Sequence, residues 1–155
     1  MKPTTLADMI ADRPLHKTSP EDTVRTACIA MSAANVGALP VVDHKGDLVG
    51  IVSERDVIQR SVIVYRPSEE TPVKQIMTPN PQWLPPDATP NEAVQVMLNG
   101  RFRHLPVCTD DEVVGIVSIR DFNMQSDSII DRPHRSSAKA DASRSQRSRS
   151  SVRTG

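Results

Sequence analysis

The stretch Val49–Asp56, "VGIVSERD", returns at Val114–Asp121 as "VGIVSIRD". Seven of the eight positions are identical, and Glu54 against Ile119 is the exception. An octapeptide kept twice in one short chain marks a duplicated structural unit, which decides how every other element is read. The match widens on both sides. "SPEDTVRTACIAM" aligns with "PPDATPNEAVQVM" at a shift of 66, pairing Pro20 with Pro86, Thr23 with Thr89, Ala27 with Ala93 and Met31 with Met97. Leu39-Pro40-Val41 pairs with Leu105-Pro106-Val107 at the same shift, which drops to 65 at the octapeptide. One residue is therefore lost between two strands, where a hairpin loop tolerates it.

Each copy predicts the same elements. Asp22 or Thr23 is placed to cap a helix, and Val24, Ala27, Cys28 and Met31 follow with the spacing of one apolar helical stripe. Asn35 and Gly37 end it. "ALPVVD" reads as a strand, "HKGD" as a turn and "LVGIVS" as a second strand. "SERDVIQR" opens another helix. In the second copy the strands fall at His104–Cys108 and Val113–Ser118, joined through Asp110 and Asp111. Neither strand alternates cleanly, so both faces are expected to be covered. Short strands near Leu15–Lys17 and Gln82–Leu84 and helical lead-ins at Leu6–Ile10 and Val73–Met77 complete a β-α-β-β-α unit.

A unit of this size hides only about 60% of its chain surface. Two copies packed sheet to sheet would solve that for both. The expectation is an α+β fold with a pseudo-twofold axis: residues 1–65 as first unit, 66–72 as linker, 73–130 as second. Residues 131–155, rich in Ser and Arg, hold one valine and no leucine, isoleucine or aromatic residue. Such a segment cannot offset its ordering entropy and is expected to be disordered.

The net charge is zero but unevenly placed: 12 Lys+Arg against 17 Asp+Glu over residues 1–130, and 7 against 2 over 131–155. A basic tail offers nucleic acid a phosphate-neutralising partner, which is the alternative function to weigh. Aromatics are 3% of the chain, so no base-stacking platform is visible. Cys28 and Cys108 stand in apolar surroundings outside any C-x-x-C spacing and read as buried thiols of a reducing compartment. No apolar run approaches the roughly 20 residues that span a bilayer, and no signal-peptide core is seen, so a cytoplasmic protein is expected. The histidines have no ligand spacing, and metal ligands are not expected. No nucleophile elbow, P-loop or G-x-G-x-x-G occurs, and catalysis is not expected.

Ser53-Glu54-Arg55-Asp56 admits two readings. One is a capping box with Asp in the usual Glu place. The other is a nucleotide site: Ser and Arg for phosphate, and a carboxylate that accepts both hydroxyls of a ribose. Both can hold at once.

These residues resemble the CBS domain. "GALPVVDHKGDLVGIVSERDVI" and "FRHLPVCTDDEVVGIVSIRDF", each behind a capped helix, resemble its tandem arrangement, the CBS pair or Bateman module, over roughly residues 4–125. The resemblance implies a ligand-sensing regulatory module that binds adenine compounds (AMP, ATP, NAD(H) or S-adenosylmethionine) in two clefts and signals to a partner protein. It implies ribose contacts at Asp56 and Asp121, and phosphate contacts at Ser53, Arg55, Ser118 and Arg120. It places the base against Gly37, Ala38, Leu39 and Pro40 in one half and Arg103, His104, Leu105 and Pro106 in the other. The entry to the first strand contributes too, around Leu15 in one half and Thr78 to Pro81 in the other. Beside Leu-Pro the first half offers neutral Gly37-Ala38 and the second Arg103-His104, so the second cleft is expected to favour anions more. Homodimers are common in the family and are expected here.

Overall fold

The computed structural model describes residues 3–123; the tail expectation and His134 lie outside them. The chain divides into one unit, Met1–Ile119, which contains the duplicated strands, and a second that begins at Arg120. In chain order the elements are α1 (Leu6–Ile10), α2 (Val24–Ala34), β1 (Ala38–Val42), β2 (Leu48–Ser53), α3 (Glu54–Val57), a π-helical turn Ile58–Val62, a 3-10 turn Val73–Gln75, β3 (Thr78–Pro79), α4 (Pro90–Gly100), β4 (His104–Cys108), β5 (Val113–Ser118) and α5 (Ile119–Asn123). The fold is α+β, as the duplication predicts.

The long helices begin and end for local reasons. The Thr23 side chain accepts from the backbone N–H of Thr26 at the start of α2. Thr89 and Glu92 form a reciprocal capping box on α4, with Pro90 in its first turn. Asn35 and Arg101 end them in the left-handed conformation (φ 55° and 59°). Val24, Ala27 and Met31 of α2, and Ala93 and Met97 of α4, are the buried stripe. The hairpin loops use different residues for one task. The Asp43 carboxylate accepts from the N–H groups of Lys45 and Asp47, with Gly46 at φ +91°. In the shorter second loop the Thr109 hydroxyl accepts from Asp111 and Glu112.

β1 and β2 pair antiparallel with Leu39 opposite Val52, and β4 and β5 with Leu105 opposite Val117. Both hairpins shift register at the same place, between Val41 and Val42 and between Val107 and Cys108. β1 packs against β5, joining the two sheets, and Val42, Cys108 and Val113 meet there in a small apolar cluster.

The lead-ins cross over. The N–H groups of Leu6 and Ala7 donate to the carbonyls of Ala88 and Pro86 in the second copy. Those of Val73 and Lys74 donate to Asp22 and Pro20 in the first. Val73 and Ile76 are fully buried among Val24, Ala27, Met31, Leu39, Val41 and Val52. Each such side chain contributes about 1.5–3 kcal/mol by leaving water. Two glycines admit the crossing segments. A Cβ at Gly50 would meet Met77 Sδ at 2.5 Å, and one at Gly115 would meet Ile10 Cδ1 at 2.7 Å.

Two expectations need correction, and the linker makes contacts of its own. The strands placed before the long helices are single parallel bridges, Thr18 to Val41 and Leu84 to Val107. Prolines at 14, 20, 81, 85 and 86 remove the N–H groups a longer strand would need. The second lead-in is helical but shorter than the expected Val73–Met77, a single 3-10 turn at Val73–Gln75. The linker is a docked strap: the carbonyls of Thr71 and Ser68 accept from Val24 and Arg25, whose N–H groups have no partner inside α2.

Gly115→Ala should destabilise the fold by about 1–3 kcal/mol through overpacking against Ile10. A urea midpoint equal to that of the parent protein would contradict the crossing of α1. Burial also pushes the Cys108 thiol up to about 11. The thiolate is the reactive form, so alkylation at pH 8 should be on the order of a hundredfold slower at Cys108 than in the unfolded chain. Mass spectrometry of iodoacetamide-treated protein, with and without urea, reads this directly.

Candidate functional site

β2 delivers Ser53 to the start of α3 in an extended conformation (φ −118°, ψ 166°). The Asp56 N–H donates to Ser53 Oγ at 3.2 Å. Asp56 Oδ2 accepts from the Ser53 N–H at 2.9 Å and from its hydroxyl at 3.0 Å. This is a complete capping box, so the structural reading of Ser-x-x-Asp holds here. The single hydroxyl proton of Ser53 is spent on Asp56, and a phosphate contact by this side chain would require exchanging that bond.

Asp56 is 8% exposed. Its other oxygen, Oδ1, has longer contacts. Thr78 Oγ1 donates at 3.4 Å, and Arg60 Nη1 stands at 3.8 Å, within ion-pair range but beyond a hydrogen bond. Thr78 comes from the crossing segment and pairs with Ile51 in β2. Ser53 and Asp56, expected as a pair, are thus joined by Thr78, which was expected in the other half. Arg60 joins them and was missed, although its position four residues after Asp56 on one helical run was a usable signal.

Gly37, before β1, is the second meeting point. Its carbonyl accepts from the Glu54 N–H at 3.0 Å. A Cβ placed on it would lie 3.2 Å from His104 Nε2 and 3.8 Å from the Glu54 carboxyl carbon. Side chains from both copies therefore crowd one glycine. His104, expected on its own half, stands against the other. Glu54, the one position where the octapeptides differ, was also missed. Arg103 mirrors Gly37 in accepting from Ile119 at 2.8 Å, and His104 pairs with Ser118 as Ala38 pairs with Ser53.

The remaining expected residues separate into surface and core. Arg55, Arg103 and Arg120 are exposed, Leu15 is exposed ahead of the Thr18 bridge, and Pro81 is half-buried. Ala38, Leu39, Pro40, Leu105 and Pro106 are buried, with Leu39 in the main core. Their side chains serve packing. Ser118 and Asp121 are half-buried, Ser118 closing β5 and Asp121 in α5. Among the described residues no group of three or more His, Cys, Asp or Glu is placed to hold a metal ion. No helix among them is long and apolar enough to cross a membrane.

Comparison with known proteins adds the lineage. The CBS domain family model matches residues 6–62 and 73–124. The uncharacterized protein YlbB of Bacillus subtilis is 36% identical over 104 residues, 66% of this chain and 70% of that one. The CBS domain-containing protein CBSCBSPB5 of Arabidopsis thaliana is 39% identical over 97 residues, 63% of this chain but 18% of that longer protein. A putative signal-transduction protein with CBS domains from Burkholderia ambifaria superimposes with TM-score 0.71 at 33% identity, covering 83% of this chain and 96% of its own. The CBS domain pair of MJ0100, solved with 5′-methylthioadenosine and S-adenosyl-L-methionine, gives TM-score 0.71 at 25% identity, over 81% and 98%. CBSX2, solved with AMP, gives 0.65 at 26%, over 82% and 98%. With both copies matched and the architecture shared over almost the full length of these structures, the chain belongs to the CBS domain family and carries a tandem CBS pair.

Proposed function

We propose that this chain is a non-catalytic sensor module that binds an adenine-containing nucleotide and passes the bound state to a partner protein. The observation that carries the reading is Asp56. A carboxylate almost removed from water, with one oxygen spent on the helix cap and the other holding only long contacts, has acceptor capacity left for a sugar hydroxyl. The adenosine compounds bound by MJ0100 and CBSX2 supply the ligand class. AMP, ATP, NAD(H) and S-adenosylmethionine are the candidates.

In this reading Asp56 takes the ribose and Ser53 keeps its carboxylate turned. Exposed Arg55 supplies charge on the phosphate side. The base lies along the strand approaches at Gly37–Pro40, with Thr78, Pro81 and Leu15 beyond the ends of the crossing segments. Ser118, Arg120 and Asp121 have the same roles in the second repeat, with Arg103, His104, Leu105 and Pro106 at its base side. Residues 1–65 and 73–130 are the two repeats. Two cysteines left as free thiols favour a cytoplasmic setting.

Titration calorimetry against AMP, ATP, NAD, NADH and S-adenosylmethionine tests the reading. A ligand at 100 times its Kd should raise stability by about 2.7 kcal/mol, seen as a higher Tm. Asp56→Asn keeps the cap acceptor but removes the charge, and should weaken binding at least about tenfold. Absence of heat and of thermal shift with all five compounds would refute it. Pairing of two chains would cover exposed Ile29, Ile58, Val62, Ile63 and Leu98. Light scattering should accordingly give twice the 17.0 kDa chain mass.

A further inference from the structure

Arg60 is a side chain at this site that no expectation assigned. It lies in the π-helical turn that continues α3. Its Nη1 donates to the carbonyls of Ile76 and Met77, both at 3.1 Å. A guanidinium Nη carries two protons, and both are used. The 3.8 Å approach of the same nitrogen to Asp56 Oδ1 therefore adds charge without consuming a lone pair. Arg66 Nη1 holds the preceding carbonyl, Gln75, at 3.3 Å. Three successive carbonyls of the crossing segment are thus gripped by two arginines. The residue that follows, Thr78, carries the hydroxyl that faces Asp56.

We propose that Arg60 is a positioning residue for ribose recognition in the first repeat: it fixes the segment that bears Thr78 and sets a positive charge behind Asp56 Oδ1, so that this oxygen is aimed and open to a sugar hydroxyl. The proposal rests on the reading of Asp56 as a ribose acceptor. It also makes the two repeats unequal. At the shift of 65, Arg60 aligns with Gln125, which has no charge. Met77 packs on Gly50 as Ile10 packs on Gly115, so the residue in the place of Thr78 is Ala11, which has no hydroxyl. The support that Arg60 and Thr78 give to a ribose-binding carboxylate belongs to the first repeat alone.

The test compares AMP with 2′-deoxy-AMP by calorimetry on the full chain. Arg60→Gln should weaken AMP about tenfold, one hydrogen bond's worth of affinity, and leave 2′-deoxy-AMP within about twofold. Arg60→Lys, which keeps the charge and donors, should recover most of the AMP affinity. Arg66 holds the same segment but has no contact with Asp56, so Arg66→Gln should leave the ratio of the two affinities unchanged. Equal weakening of both nucleotides by Arg60→Gln, or no weakening, overturns the proposal. If Asp56→Asn abolishes the preference for AMP while Arg60→Gln keeps it, the role of Arg60 alone falls. If the parent protein binds both nucleotides equally and Asp56→Asn changes nothing, the ribose reading falls, and this proposal with it.

Discussion

The fold depends on an exchange. Neither repeat can cover its own sheet, because a unit of about 55 residues leaves too much of its apolar surface in water. Each is completed by the segment that precedes the other. Val73 and Ile76 enter the core of the first repeat, and Ile10 lies on the second repeat's β5. The hydrogen bonds of the two crossings correspond, Leu6 and Ala7 to Ala88 and Pro86 against Val73 and Lys74 to Asp22 and Pro20. Gly50 and Gly115 follow from this arrangement, since any side chain there would occupy the space of the crossing residue. Duplication here is therefore more than repetition: each copy lacks a part that only the other supplies.

The same exchange builds the candidate site. Ser53 and Asp56 belong to the first repeat, but Thr78 reaches them because the second repeat's lead-in crosses over. One carboxylate does two jobs through two oxygens. Oδ2 satisfies backbone and hydroxyl donors at the start of α3, a local requirement of any helix. Oδ1 faces the crossing segment, a tertiary arrangement. In the proposed reading capping and ligand recognition would not compete for one oxygen, and the oxygen left for a ligand sits where the two repeats meet. A ligand there would touch the joint that holds the halves together, a physical route from binding to a change a partner can read.

Much of this was legible in the sequence. The doubled octapeptide, the shift of 66 falling to 65 and the apolar stripes placed α2, α4 and all four hairpin strands, because those signals are local. The loop that absorbs the lost residue is indeed the hairpin, five residues in one copy and four in the other. Ser53 and Asp56 were legible as a pair from their spacing, whereas Thr78, expected in the other half, reaches Asp56 only through the crossing. Less legible were the linker's role as a strap on α2, the shortness of the first strands, and Arg60 and Glu54. These depend on which backbone groups lack partners and which segments approach from far along the chain.

The sequence by itself determined that the chain is a duplicated α+β unit with a Ser-x-Arg-Asp turn after each hairpin, since periodicity, caps and turns act within a few residues. Tertiary structure alone decided that the lead-ins swap between copies. It also decided that His104 stands over Gly37 and that Arg60 bridges Asp56 to the carbonyls of Ile76 and Met77. Those contacts join residues distant in sequence, and their geometry is set by how two half-covered sheets bury each other, which no local pattern encodes.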